Sequence, residues 1–222
     1  MQRVVSVVFL LVLGSTWIVH TVPVALKPFI HTQENVFDLA QFMGKWYEAA
    51  VVSTCPHYMK RKREDPIIIA LELQHVASNG SFTMTATSLR NGLCKQTSTD
   101  YRLTNNPGQF FHHIASMFSQ ADVDSYVVHS NYEEYAMILL QSVEKPSGNK
   151  TTSFKLYSRT MSVRATVLED FKTLVRQNGG SDDAIIMNQN KGDILLTVPG
   201  RTKTLLKKSG ATCGSCTRGV RR

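Results

Sequence analysis

Cys55 stands five residues ahead of the run Lys60-Arg61-Lys62-Arg63. Positive charge beside a thiol stabilises the thiolate and lowers its pKa. This spacing predicts a reactive thiol that reduces or traps oxidants, or that joins another protein through a disulfide; the alternative is a solvated basic loop beside an inert cysteine. Cys213 and Cys216 form a C-x-x-C pair. Such a pair does redox or zinc chemistry only with a positioned helix or a second pair of ligands, and the surrounding sequence supplies neither. No G-x-S-x-G elbow marks a serine nucleophile and no His-x-x-x-His spacing marks a zinc site, so hydrolytic and metal-dependent catalysis are poorly supported. Asn79-Gly80-Ser81 and Asn149-Lys150-Thr151 are N-glycan acceptor sequences in turns, which makes Asn79 and Asn149 candidate glycosylation sites.

The elements that hold these residues are short and β-rich. Strand-like runs cover 45–53, 66–75, 81–90, 94–103, 109–113, 124–130, 135–142 and 151–158. Turn clusters separate them, among them Ser78-Asn79-Gly80, Asn91-Gly92 and Asn105-Asn106-Pro107-Gly108, and connections this short favour antiparallel neighbours. Eight such strands in succession predict a sandwich or an up-and-down barrel. In 162–180 the rhythm changes: Val163, Val167, Phe171, Leu174 and Val175 recur at helical spacing and Gly179-Gly180 ends the pattern, predicting one amphipathic helix that needs a wall to pack on. A further short strand is expected at 184–187.

Composition sets the outer limits. The formal net charge is +8, but seven basic residues and no acid lie in 201–222 and one more is Arg3, which leaves the body neutral and makes nucleic acid a poor partner. Residues 1–20 read as a signal peptide, a basic start followed by an apolar run too short to span a bilayer. An N-terminal arm at 21–35, a folded body at 36–198 and a basic, disordered tail at 199–222 complete the expected organisation, that of a secreted, soluble protein without a membrane anchor.

Gly44-Lys45-Trp46 opens the first strand, Asn131-Tyr132-Glu133-Glu134-Tyr135 lies between two late strands, Lys155-Leu156-Tyr157-Ser158-Arg159 ends the eighth strand, and one helix follows. In that order these segments resemble the lipocalin family. The strings Ser53-Thr54-Cys55-Pro56 and Ser125-Tyr126-Val127-Val128-His129 are similar to its alpha-1-microglobulin branch, over 33–191. The resemblance implies an eight-stranded antiparallel up-and-down barrel with one C-terminal α-helix on its wall, carrying a small hydrophobic ligand of retinoid, haem or chromophore type. It implies that Gly44, Trp46, Tyr132 and Arg159 form the fold signature, with Arg159 lying over the Trp46 ring at the closed end.

The branch also implies roles for the chemistry-bearing residues. Cys55 matches an unpaired cysteine at the open mouth, working with Lys155 and Tyr157 in a thiol-dependent reductase or radical scavenger, or tethering a plasma protein. Cys94 matches half of a bridge whose other half should lie near residue 193, where the chain reads Lys191-Gly192-Asp193-Ile194; the expected substitute is a disulfide from Cys94 to Cys213 or Cys216. The chain departs from the branch at Ile114 and Ser142, where lysines are expected, at Met43 in place of a tyrosine, and at Ser147 in place of a haem-linked histidine. These departures weaken the redox role relative to the carrier role. His112-His113 is the substitute candidate for haem, which like any chromophore is not obligatory, and no metal site is expected. The bikunin part of the branch's precursor, with its protease-inhibitor domains, is expected to lie outside this chain.

Overall fold

The computed structural model describes residues 37–76, 80–90, 93–116 and 119–190. Helix α1 (Leu39–Phe42) begins at Asp38, whose carboxylate accepts the Gln41 backbone N–H, a capping bond that satisfies one of the first-turn donors. Then follow β1 (Gly44–Ser53), α2 (Pro56–Glu64), β2 (Ile69–Val76), β3 (Ser81–Arg90), β4 (Leu93–Leu103), β5 (Gln109–Ser116), β6 (Ser119–Ser130), β7 (Tyr135–Lys145) and β8 (Lys150–Ser158). Helix α3 (Ala165–Gln177) and β9 (Ile186–Met187) complete the order. Each of β2 to β8 pairs antiparallel with the next, and β1 pairs with both β2 and β8. The eight strands therefore close on themselves as an up-and-down barrel, which removes the exposed sheet edge.

Side-chain alternation sorts the residues between inside and wall. On β6, Ala121, Val123, Ser125 and Val127 are buried while the residues between them are half-buried. Strand β1 needs both faces. A bulge between Glu48 and Ala50 shifts its register against β8, so Trp46 and Glu48 face the interior while Ala50 and Val52 face outward into the core beneath α3. Helix α3 buries Val167, Phe171 and Val175, one residue per turn, against Ala50, Val52, Leu156 and Met137. It ends where the Gly180 N–H donates to the Val175 carbonyl, with Gly179 at φ +75°.

Four expectations change. The segment after β1 is helix α2, not a loop: Pro56 sits at its first position, where a missing N–H costs nothing. Its buried residues are Tyr58, Met59 and Lys62; with so few apolar groups among the basic ones, no helical period shows in the sequence. The strand expected at 124–130 starts at Ser119 and its partner β5 runs on to Ser116, because polar residues such as Asp122 are tolerated on the outer face of a ladder. The strand expected at 66–75 begins only at Ile69. The strand expected at 184–187 is a 3₁₀ turn, Asp182–Ala184, followed by β9, which pairs with Ala50 and Val51. Residues 1–35 and 199–222, with their expected leader, arm and tail, lie outside the described residues, as does Asn79.

Candidate ligand cup

The barrel is shut at one end by a plug of rings. Phe42, Trp46, Leu73, Phe82, Phe110 and Val127 are all buried there, and Phe37 caps the layer with rings at 5.4 Å from Phe42 and 5.6 Å from Phe110. Trp46 is fully buried and its indole N–H donates to the Phe42 carbonyl at 2.8 Å. The Arg159 guanidinium lies 3.6 Å over its ring. That guanidinium also donates to four backbone carbonyls: Tyr132 (2.8 Å), Met43 (2.9 Å), Lys45 (2.9 Å) and Gln41 (2.6 Å). One side chain thus ties α1, the start of β1 and the β6–β7 turn together, with a cation–π contact added. Gly44, at φ +86°, lets the backbone turn into β1 at this point. Tyr132 is held at φ +61°, and its hydroxyl accepts the Asp38 N–H at 3.0 Å. The four residues expected as a fold signature therefore meet in one place.

Above this plug the strands enclose a cavity of about 310 Å³, at the lower end of the range for small-molecule sites. Its walls are apolar at Ile69, Leu71, Met84, Ala86, Ile114, Val123 and Leu140, and carry hydroxyls at Thr97, Thr99, Ser153 and Tyr157. Cys55, Arg61 and Lys95 line it as well. Of its charged residues, Glu48 and Lys155 belong to a buried ionic cluster.

Glu48 is 1 % exposed. Its Oε1 accepts from Lys62 Nζ at 2.6 Å and its Oε2 from Lys155 Nζ at 2.7 Å. Asn188 braces the pair: its amide donates to the Glu48 backbone carbonyl at 2.7 Å and to Oε1 at 3.3 Å, and its carbonyl accepts from Lys62 Nζ at 3.2 Å. The cluster sits where β1 parts from β2, a seam filled by α2 and the β9 segment, with the Asn188 N–H bonded to the Ala49 carbonyl. Burial disfavours the Glu48 carboxylate, but Lys155 and Lys62 outweigh it and hold the carboxyl down at about 2. Burial likewise opposes the Lys155 ammonium, and Glu48 raises its pKa well above the ordinary lysine value. On the opposite wall His112 is 7 % exposed and stacks on Tyr101 with ring centroids 4.4 Å apart. Its Nδ1 is buried without a hydrogen-bond partner. Burial, reinforced by Lys155 and His113, lowers its pKa to about 4, so the ring is neutral at pH 7.

The residues named from sequence divide accordingly. Cys55, Lys155, Tyr157 and His112 line one cavity. His113 points to the outer surface, where its ring bonds Asp122 at 2.7 Å, as alternation along β5 requires. Asn149 is exposed in the β7–β8 turn, and its amide donates to Glu144 at 3.3 Å. The cysteine expectations are corrected: Cys94 is a free thiol, not bridged to Cys213 or Cys216, and Cys55 is disulfide-bonded to a residue outside those described, not an available thiol. Cys94 is half-buried on the outer face of β4, in a groove with Tyr47, Leu89 and Asn190. Closure entropy varies only with the logarithm of loop length, so spacing alone does not choose which of the two cysteines a distant one joins. Three further residues escaped the sequence reading. Glu48 had a signal, since it stands two residues after Trp46 in a strand and so shares its face; Lys62 and Asn188 had none, because long-range packing brings them in.

The description of the family model that matches residues 43–192 is the Lipocalin / cytosolic fatty-acid binding protein family. "Protein AMBP" of Pleuronectes platessa is 51% identical over 195 residues, 88% of this chain and 53% of that protein. "Protein AMBP" of Mus musculus is 35% identical over 178 residues, 80% of this chain and 49% of that protein. This chain spans about half the length of these relatives. "Prostaglandin-H2 D-isomerase" of Felis catus is 28% identical over 150 residues, 68% of this chain and 76% of that protein. The solved structure titled "The Siderocalin Ex-FABP functions through dual ligand specificities" superposes with a TM-score of 0.55 at 18% identity, over 68% of this chain and 96% of that one. With the closed barrel, the ring plug under Arg159 and a match over most of its length, the chain belongs to the Lipocalin / cytosolic fatty-acid binding protein family.

Proposed function

We propose that this chain takes up a single small, largely apolar molecule in its barrel and carries it outside the cell, as an alpha-1-microglobulin-like carrier. The observation that supports this is the cavity of about 310 Å³ above a sealed floor, with seven apolar side chains on its wall and hydroxyls, charged groups and the His112 imidazole among them. Water leaving such a surface supplies the affinity, roughly 25 cal/mol for each Å² of apolar area covered, and the polar groups orient the guest. A retinoid or other conjugated chromophore suits this wall. A haem would find one imidazole in the cup, the neutral His112. Secretion accords with the signal-like first residues and the Asn79 and Asn149 acceptor sequences; among the described residues no helix is long and apolar enough to cross a membrane.

Absorbance and mass spectrometry of the protein purified from its natural source test the carrier reading directly. A bound molecule released by organic extraction supports it. Protein that arrives empty and takes up neither retinoid nor haem on titration ends it. Reductase or scavenging chemistry, or a tether to a plasma protein, through Cys55 ranks below carriage. Cys55 does line the cup, but its sulfur is held in a disulfide, so a nucleophilic thiolate exists only after that bond is reduced.

A further inference from the structure

Helix α2 divides the run Lys60-Arg61-Lys62-Arg63 between inside and outside. Tyr58, Met59 and Lys62 fall on one helical face and are buried, and Lys62 is taken up by Glu48. Lys60, Arg61 and Arg63 are left on the solvent face. Arg61 also lines the cup, so this face adjoins the mouth. Among the described residues none of the three makes an ion pair, not even with Glu64, the one acid of α2. Helix α3 differs: its cations all have acids beside them, Arg164 with Glu134, Lys172 with Glu169 at 2.6 Å and Arg176 with Asp182 at 2.6 Å. The negative end of α2 favours cations there, but it answers only about half an elementary charge. Neighbouring cations without acids repel one another, and an anion that spans them relieves that repulsion.

A second observation adds charge of the same sign. Cys55, the residue before α2, is disulfide-bonded, and Cys94 is free. The remaining cysteines of the chain are Cys213 and Cys216, so one of these two is the partner of Cys55. They stand in 201–222, which carries seven basic residues and no acid, and Arg218 follows Cys216 by two positions and Cys213 by five. The disulfide therefore fastens an acid-free basic stretch of sequence to the start of a helix whose exposed cations are unpaired.

We propose that the solvent face of α2, with the basic segment fastened to it through Cys55, is a docking surface for a linear sulfated polysaccharide. Sulfate esters stay ionised at every physiological pH and recur along the polymer, so one chain meets Lys60, Arg61, Arg63 and the basic segment together. The counterions released on binding drive the association, and the planar guanidinium fork suits sulfate as it suits phosphate. Anionic phospholipid is the other extended anion, but it faces the cytoplasm, whereas the carrier reading sets this chain outside the cell. The inference rests on that setting and is independent of what the cup holds. Because the face adjoins the mouth, the docked barrel presents its opening beside the polymer.

Titration of the intact, unreduced protein with size-defined heparin at several salt concentrations tests this, with unsulfated hyaluronan, duplex DNA and phosphatidylserine vesicles as comparison probes. Heparin is expected to bind at least about tenfold more tightly than each of the others. K60Q/R61Q/R63Q keeps good helix formers on the exposed face; it is expected to melt at an unchanged temperature, to bind heparin about tenfold to a hundredfold more weakly, and to lower the slope of log K against log salt by about 2 to 3. R164Q/K172Q/R176Q removes the same charge from α3 and is expected to leave the affinity within about threefold. An equal loss in the two variants means that net charge alone is felt, and overturns the site. Full affinity in the α2 variant with loss in R218Q/R221Q/R222Q places binding on the C-terminal segment and overturns docking on the helix. Hyaluronan, DNA or vesicles bound as tightly as heparin overturn the sulfated polysaccharide as the partner. Each of these failures leaves the carrier reading standing, because that reading is decided by the cargo.

Discussion

Below Glu48 the barrel interior is solid: Phe42, Trp46, Phe82 and Phe110 fill it, and the polar groups that enter, the indole N–H and the Arg159 guanidinium, are matched to carbonyls. Above Glu48 the same strands enclose open space, a buried ionic cluster and an imidazole nitrogen with no partner. The strands are continuous through both halves, so backbone pairing does not make the difference. Side-chain volume and satisfaction do. The floor gives up adaptability for stability, whereas the cup tolerates unsatisfied groups that a guest can complete.

The contrast predicts a descending series of effects. Trp46→Ala should be the most damaging, costing about 3–5 kcal/mol, because it opens a large hole in a close-packed layer and leaves Arg159 over nothing; chemical denaturation reads it, and a cost under about 1 kcal/mol would show that the floor is not the stabilising half. Acidification comes next. Glu48 titrates near 4.5 in the unfolded chain and at about 2 in the fold, so its contribution is complete above pH 4.5 and is lost as pH falls towards 2. His112 moves from 6.5 to about 4, so stability also falls between those values as the unfolded chain takes up a proton that the fold refuses. Each window is worth up to roughly 3 kcal/mol. In pH-dependent denaturation H112F should flatten the upper window and E48Q the lower; loss of both windows in either variant would mean that the two sites are not separate.

Arg159→Lys should cost about 2 kcal/mol, since an ammonium cannot reach four carbonyls and cover an indole face at once. The loss should appear in melting temperature with ligand affinity almost unchanged, and a reversed pattern would join floor and cup into one unit. The smallest effect belongs outside both halves. Cys94→Ser, on the outer wall, should change stability by less than about 0.5 kcal/mol and remove one thiol from the count titrated in denatured, unreduced protein. An unchanged count would restore the bridge from Cys94.

The four signature residues of the floor could be read through the family resemblance, but not the rings of Phe42, Phe82 and Phe110 that fill it, and the cup could be read only in part. Gly44, Trp46, Tyr132 and Arg159 are recognised through the family resemblance, whose motifs stand at fixed places along the strands; eight short strands joined by tight turns suit a sandwich as well as a barrel, and the resemblance decides between them. Alternation, followed two residues past Trp46, would also have found Glu48. What closes around it is not local: Lys62 is on a helix with too few apolar residues to show a period, and Asn188 follows a two-residue strand. The cysteines fail for a related reason. Their partners are chosen by three-dimensional reach, and a formal count of four offers no preference among pairings.

The partners of Glu48 also carry information about closure of the barrel. Lys62 lies 14 positions along the chain from it and Asn188 lies 140 away, while the β1 strand that bears it must find β8 across almost the whole body. Contacts of such separation carry a loop-closure cost that local ones do not. A chain whose β1 has not yet met β8 holds an acid beside one lysine; only the sealed barrel delivers the second lysine and the amide. The ionic cluster is thus a clasp whose full set of partners, drawn from both ends of the barrel's chain, exists only when the wall is closed.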